Sequence, residues 1–110
     1  MRLEIRGRNV KVSAQLKAHV ERRLEFALDA FGDRVDASVV RFSDPGDAKV
    51  CEMALRLRPS GSVRVRQAGE DLYVAVDQCA ERAARAVARA VERKRLRRKG
   101  AAARKPALRG

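Results

Sequence analysis

Residues 35–68, VDASVVRFSDPGDAKVCEMALRLRPSGSVRVRQA, contain three extended runs of residues separated by the turn sequences SDPGD and PSGS. The runs 35–42, 49–58 and 62–68 favour β-strands because apolar or β-branched residues recur at alternate positions. Proline presets φ and glycine accepts a positive φ, so both separating sequences are typical of turns. This stretch therefore predicts three antiparallel strands joined as a meander.

Upstream of the meander, the alternating sequence RLEIRGR at residues 2–8 predicts a further strand, with a bend near Gly7. Ser13 is suited to capping a helix that continues to about Ala30, because its hydroxyl can accept from free backbone N–H groups. Apolar residues recur every three or four positions in this helix, and Gly32 favours its end. The apolar arc consists of Leu16, Val20, Leu24, Ala27, Leu28 and Phe31.

Downstream of the meander, Asp71 is the predicted N-cap of a second helix, which we expect to end near Lys99. Its apolar arc consists of Leu72, Ala75, Val76, Cys79, Ala83, Ala86, Val87 and Ala90. The sequence GAAARKPALRG that follows has no apolar periodicity and predicts a flexible basic tail. The sequence thus divides into a domain at residues 1–98 and a tail at residues 99–110.

The predicted elements follow the order β-α-β-β-β-α within a chain of 110 residues, the usual size of one domain. Each element has one apolar side, and two helices packed on one face of a sheet would bury all of these sides together. We therefore predict an α+β fold, a two-layer domain in which a four-stranded sheet carries two helices on one face.

The positive charge is concentrated at the C-terminal end of the chain. The formal net charge is +12, and residues 82–110 hold 12 Lys or Arg against the single acid Glu92, which gives +11. Residues 1–81 hold 14 bases and 13 acids and contribute only +1. A nearly neutral body with a strongly basic end indicates an anionic partner, with nucleic acid favoured over a merely solubilising tail.

The residues that usually carry catalysis or metal binding are few in this sequence. Cys51 and Cys79 each fall on an apolar face, so we expect buried free thiols and a reducing, cytoplasmic setting. His19 has no second histidine to join it, and we expect it to be partly buried or to face RNA. We expect no enzyme activity, cofactor, metal or small-molecule substrate, and no apolar run is long enough for a membrane span.

Four arginines follow one side of the second predicted helix, beside its apolar arc. At 100° per residue they lie within about 80° of the helix circumference, with no acid among them. Guanidinium groups bind phosphate through paired hydrogen bonds, so a rigid row of them suits an RNA surface. The four are Arg82, Arg85, Arg89 and Arg93.

Two segments, IRGRNVKVS at Ile5–Ser13 and EDLYVAVD at Glu70–Asp77, resemble the ribosome hibernation-promoting factors, also called ribosome-associated inhibitors or sigma-54 modulation proteins. Both segments occur in the order and layout of that family, and the resemblance covers roughly residues 1–98. It implies the short form of the family, a cytoplasmic protein that acts in stationary phase or stress. Such a protein binds ribosomal RNA of the small subunit in the channel for messenger and transfer RNA, and it stops translation by occupancy alone.

The resemblance also implies which residues contact ribosomal RNA. Arg82, Arg85 and Arg89 match basic positions on the family's second helix, and Arg93 extends the row. On the first helix, Lys17 and Arg23 match basic positions, and the neighbouring Arg22 joins them as a candidate; the next usual basic position holds Phe26.

Two other classes of function remain open from the residues alone. A helix-and-sheet domain of this layout also suits a generic double-stranded-RNA or DNA-binding module, which recognises a duplex by shape. A membrane-surface protein is less favoured because the apolar arc of the basic helix lacks bulky residues for insertion. With no second domain or long apolar edge left over, we expect the free protein to be a monomer.

Overall fold

The structure is a computed structural model that describes the backbone of residues 1–107 and the side chains of residues 1–97. The elements are β1 (Arg2–Arg8), α1 (Ala14–Leu28), a 3-10 helix (Asp29–Arg34), β2 (Val35–Ser43), β3 (Lys49–Leu57), β4 (Ser62–Gly69) and α2 (Leu72–Ala107). This is the predicted order, with strand ends shifted by no more than one residue.

The four strands form one mixed sheet in the spatial order β1-β2-β3-β4. Strand β1 is parallel to β2, which requires the crossover that α1 provides, and the remaining pairs are antiparallel. The meander predicted from residues 35–68 is therefore confirmed, and so is the α+β fold class.

Both helices contribute to a single aliphatic core against one face of the sheet. From α1, the fully buried residues are Leu16, Val20, Leu24 and Leu28; from α2, they are Ala75, Val76, Cys79, Ala80, Ala83 and Val87. They meet Val40, Phe42, Cys51, Met53 and Leu55 of the central strands. Most of the predicted apolar arcs are confirmed, while Ala80 joins the core and five predicted members lie at its half-buried margin: Ala27, Phe31, Leu72, Ala86 and Ala90.

Side-chain caps start both helices as predicted. The Ser13 hydroxyl accepts from the Leu16 amide at 3.1 Å, and the Asp71 carboxylate accepts from the Val74 amide at 2.9 Å. The end of α1 differs from the prediction, because the helix stops at Leu28 and tightens into the 3-10 helix. Gly32 lies inside that turn with φ of 57°, so its positive φ redirects the chain toward β2.

Helix α2 continues as far as Ala107, past the end predicted near Lys99 and across the predicted boundary between domain and tail. Alanine, arginine and lysine are strong helix formers, and the interior Gly100 costs only about 1 kcal/mol, so local propensity favours continuation as far as Lys105 without a core to cover. Pro106 opposes further helix, and α2 ends one residue after it. A separate role for the basic tail stays a prediction, and residues 108–110 lie outside the described part.

Cys51 and Cys79 are free and fully buried, as predicted. The Cys79 thiol donates to the Cys51 carbonyl oxygen at 3.4 Å, which ties α2 to β3. A hydrogen bond with the Cys79 thiol and burial together raise the pKa of the Cys51 thiol. Within residues 1–107, no helix has the length and apolar content needed to cross a membrane.

Gly7 serves a purpose other than the predicted bend, because β1 continues through it to Arg8. The chain turns back over this residue after β1 ends, and a Cβ atom at position 7 would overlap the Val10 carbonyl oxygen. The same atom would lie 2.9 Å from Cγ2 of Val12. Glycine is therefore required here for close approach of the backbone.

We predict that Gly7→Ala lowers the free energy of unfolding by at least about 2 kcal/mol, in the range of other overpacked sites. Urea denaturation followed by circular dichroism measures this change. Adding Val12→Ala removes the side-chain contact but leaves the overlap with the Val10 carbonyl, so it should not restore stability. Full rescue by Val12→Ala would show that backbone approach is not the constraint.

Candidate nucleic-acid interface

Helix α2 has two flanks that face different neighbours. On one flank, the ring of Tyr73 meets the ring of His19 edge-on at 5.0 Å, and Asp77 contacts the same histidine, so this side faces α1. On the other flank, the Gln78 side chain is hydrogen-bonded to Gln67 of β4 at 3.1 Å. The predicted arginine row lies on this second side, which we call the basic flank and define as Arg82, Arg85, Arg89 and Arg93.

Arg82 is fixed by contacts with the edge strand. Its Nη1 atom donates to the carbonyl oxygen of Arg66 at 2.9 Å and to the Gln67 side-chain oxygen at 3.1 Å. A guanidinium has five N–H donors, so these bonds leave others for an anion. Arg82 therefore combines a structural contact at β4 with a position beside the other arginines.

The remaining members of the basic flank, Arg85, Arg89 and Arg93, are exposed. Among the side chains that the structure describes, none forms an ion pair with these three arginines. Glu92 is bound by Arg95 at 3.0 Å. These three guanidinium groups are therefore available to an external anion. A helix also holds them at a fixed spacing of about 1.5 Å per residue along its axis.

The candidate residues on α1 do not join this row. Arg23 faces α2, where its Nε atom lies 3.1 Å from Oδ1 of Asp77. The same carboxylate oxygen is 2.7 Å from Nε2 of His19, whose side chain is only 19% exposed. The charge of Arg23 is therefore largely balanced by Asp77, and His19 is a partly buried link between the helices, as one reading of the sequence predicted.

Lys17 and Arg22 lie on other sides of α1. Lys17 borders a shallow depression beside β1 that is also lined by Glu21 and Glu25. Arg22 is exposed, and Phe26, one turn further on, is 79% exposed. The seven residues predicted to bind RNA thus form one row of four on α2 and three scattered positions on α1.

A second group of cations, not predicted from the sequence, lies on the open side of the sheet, opposite the helices. Arg64 and Arg66 alternate with Val63 and Val65, whose side chains face the core, so the signal was already present in the strand pattern. Among residues whose side chains are described, no group of His, Cys, Asp and Glu is arranged to hold a metal ion. The chemistry that the two basic surfaces offer is the binding of anions.

The match to a family model covers residues 3–95 and corresponds to the family described as sigma 54 modulation protein / S30EA ribosomal protein. This range contains the whole sheet, α1 and the basic flank of α2. The chain belongs to this family, and it is a ribosome-associated hibernation or modulation factor. The expected regulation of translation follows from that membership, and stress and stationary phase are consistent with the family. Among curated protein sequences, none matches the chain significantly.

Solved structures show the same fold. The N-terminal domain of Protein Y from Thermus thermophilus is similar, with a TM-score of 0.71 and 30% identity, over 81% of this chain and 98% of that one. A ribosomal subunit interface protein from Coxiella burnetii has a TM-score of 0.69 at 20% identity, over 74% of this chain and 88% of that one. The second likeness concerns the fold alone.

The different surroundings of Arg23 and Arg85 predict unequal contributions to RNA binding. We expect Arg85→Gln to weaken binding to purified ribosomes about fivefold, equivalent to about 1 kcal/mol, because a free guanidinium is lost. Arg23→Gln should change affinity less than twofold, since Asp77 already balances its charge. Titration of labelled protein at fixed salt measures both, and equal losses would contradict this distinction.

Proposed function

We propose that this protein silences translation by binding the small ribosomal subunit and occupying the channel that messenger and transfer RNA use. The observation that carries the proposal is the basic flank of α2, four arginines on one rigid side of a helix within the region that matches the family. Membership of a ribosome-associated family indicates the kind of partner, and the flank indicates the chemistry of contact. That chemistry is phosphate recognition on ribosomal RNA.

Rigid presentation is what makes the flank suited to a folded RNA. Packing of Ala75, Cys79 and Ala83 against the sheet fixes the rotation of α2, and this rotation fixes the direction of the arginines. Guanidinium groups held in this way lose little freedom on binding and make paired hydrogen bonds with phosphate oxygens. Inhibition then requires only that the bound domain exclude other ligands from the channel, with no bond made or broken.

We propose further that the free protein is a cytoplasmic monomer. The apolar faces of both helices and the sheet contribute to the core, and within residues 1–97 the large apolar side chains that remain exposed are Met1, Phe26, Tyr73, Val74 and Leu96. Monomeric proteins rarely expose large continuous apolar patches. Light scattering at micromolar concentration should therefore give the mass of one chain, and a stable dimer would contradict this part of the proposal.

The triple substitution Arg85→Gln, Arg89→Gln and Arg93→Gln, which we call the flank variant, tests the function directly. Arg82 is left unchanged because of its contact with β4. Loss of three free charges on one rigid surface should reduce affinity for small ribosomal subunits at least tenfold and relieve inhibition in a purified translation system. Co-sedimentation and peptide synthesis measure the two effects, and thermal melts establish that the variant is folded.

The matched control is Lys11→Gln, Arg34→Gln and Lys49→Gln, which removes the same charge from the loop before α1, the 3-10 helix and the start of β3. It should bind and inhibit nearly as well as the parent. Competition with excess duplex RNA separates ribosome binding from generic duplex binding, because only a generic module would be displaced efficiently. Inhibition by the flank variant at the level of the parent would overturn the proposed site.

A further inference from the structure

The face of the sheet opposite the helices is rich in arginine. Side chains alternate along each strand, so the residues between the core positions project from this open face. Its basic members are Arg2, Arg6, Arg8, Arg41, Arg56, Arg64 and Arg66, and its acidic members on the strands are Glu4, Asp36 and Glu52. Seven bases against three acids leave this face positive, although residues 1–81 as a whole are nearly neutral.

Strand register brings several of these charges into one row. Arg6 is opposite Arg41, Arg41 is opposite Glu52, and Glu52 is opposite Arg66, so the row crosses all four strands. Glu52 lies 3.8 Å from Arg41, and Glu4 pairs with Arg6 at 2.8 Å. Glu4 and Glu52 are therefore each already engaged by one arginine.

The third acid of the face is also already engaged by arginine, which leaves the arginines of β4 without an acidic partner among the described side chains. At the far end of the sheet, Asp36 binds Arg58 at 2.8 Å and lies 3.9 Å from Arg56. A hydrogen bond from the Arg58 guanidinium lowers the pKa of the Asp36 carboxyl. This acid therefore stays charged and offsets the positive charge of Arg56 and Arg58. Within the part of the chain whose side chains are described, Arg64 and Arg66 have no ion-pair partner.

Stability alone does not account for this distribution of charge. Like charges directly opposite on neighbouring strands are destabilising, and Arg6 and Arg41 occupy such positions. Exposed ion pairs contribute little in return. A face selected only for solubility would intersperse the two signs, as soluble surfaces commonly do. The excess of arginine therefore points to an anionic ligand.

The shape and composition of the face favour the backbone of RNA as that ligand. Small side chains, including Ala37, Val39 and Ala54, form a shallow trough beside Arg56. The backbone positions of facing residues on neighbouring strands are about 4.8 Å apart, and those two residues apart on one strand are about 7 Å apart. Arginines at these positions form a grid suited to several phosphates. Sheets that read RNA bases present aromatic rings, whereas the strand residues of this open face include none.

We propose that the open face of the sheet is a second RNA-binding surface, which contacts the phosphate backbone of an RNA segment without reading its sequence. This inference rests on the proposed function in that ribosomal RNA supplies the segment. The two basic surfaces meet at the edge of β4, where Arg82 of the basic flank is hydrogen-bonded to the Arg66 carbonyl. RNA would thus contact the domain on two sides joined by one edge.

The test is the sheet variant Arg41→Gln, Arg64→Gln and Arg66→Gln, compared with the flank variant and with the control variant Lys11→Gln, Arg34→Gln and Lys49→Gln. All three lose the same charge. Affinity for purified small ribosomal subunits is measured across a range of KCl concentrations, after thermal melts show equal folding. The sheet variant should bind at least tenfold more weakly than the control variant, and its log–log salt slope should fall by about 2, at roughly 0.7 per lost phosphate contact.

The outcomes separate this proposal from the proposed function. If the flank variant loses binding while the sheet variant matches the control, the sheet proposal is overturned and the proposed function stands. If the parent does not bind subunits, the proposed function fails, and a 20-nucleotide oligouridylate then tests the sheet alone. Weaker binding of that RNA by the sheet variant supports the second surface, whereas unchanged binding overturns it. Preference of the face for oligoglutamate over oligouridylate would assign it to an acidic protein and also overturn the proposal.

Discussion

The packing of α2 against β3 and β4 is the constraint on which the rest of the structure depends. The contact surface of the helix is made of small residues such as Ala75, Cys79 and Ala83, which let its backbone lie close to the sheet. At Gly69, an added Cβ would lie only 3.0 Å from the Ala75 amide nitrogen. Because this close contact fixes the rotation of α2, one flank must face α1 and the other must lie over β4. The direction of the basic flank is therefore a product of core packing.

Features encoded within one element could be predicted from the sequence. Alternation in residues 35–68 specified the meander, and Ser13 and Asp71 specified helix starts through a single local hydrogen bond each. The arginine row on α2 also followed from helical spacing alone. The end of α2 is harder to predict, because the apolar arc stops before Lys99 while residues with strong helix propensity continue beyond it.

Features that depend on contacts between elements could not be read in the same way. The sequence gives no indication that Asp77 of α2 would meet Arg23 and His19 of α1, since that contact requires the helices to be placed side by side. Likewise, the row from Arg6 to Arg66 depends on the register of three strand pairs. The net charge of residues 1–81 is near zero, so it does not reveal that arginines are concentrated on one face of the sheet. This concentration appears only when the strands are aligned in register.

The bond between Arg82 and β4 has a consequence for the behaviour of the protein at high concentration. Strand β4 is an edge of the sheet, and unpaired main-chain groups on an edge invite the addition of a strand from another molecule. The guanidinium of Arg82 donates a hydrogen bond to the Arg66 carbonyl oxygen. The hydrogen-bonded side chains of Gln67 and Gln78 cover the adjacent backbone of β4. Charged arginines beside this strand also repel a second copy. The contact made by Arg82 therefore disfavours strand addition at this edge, whether or not a ligand is bound.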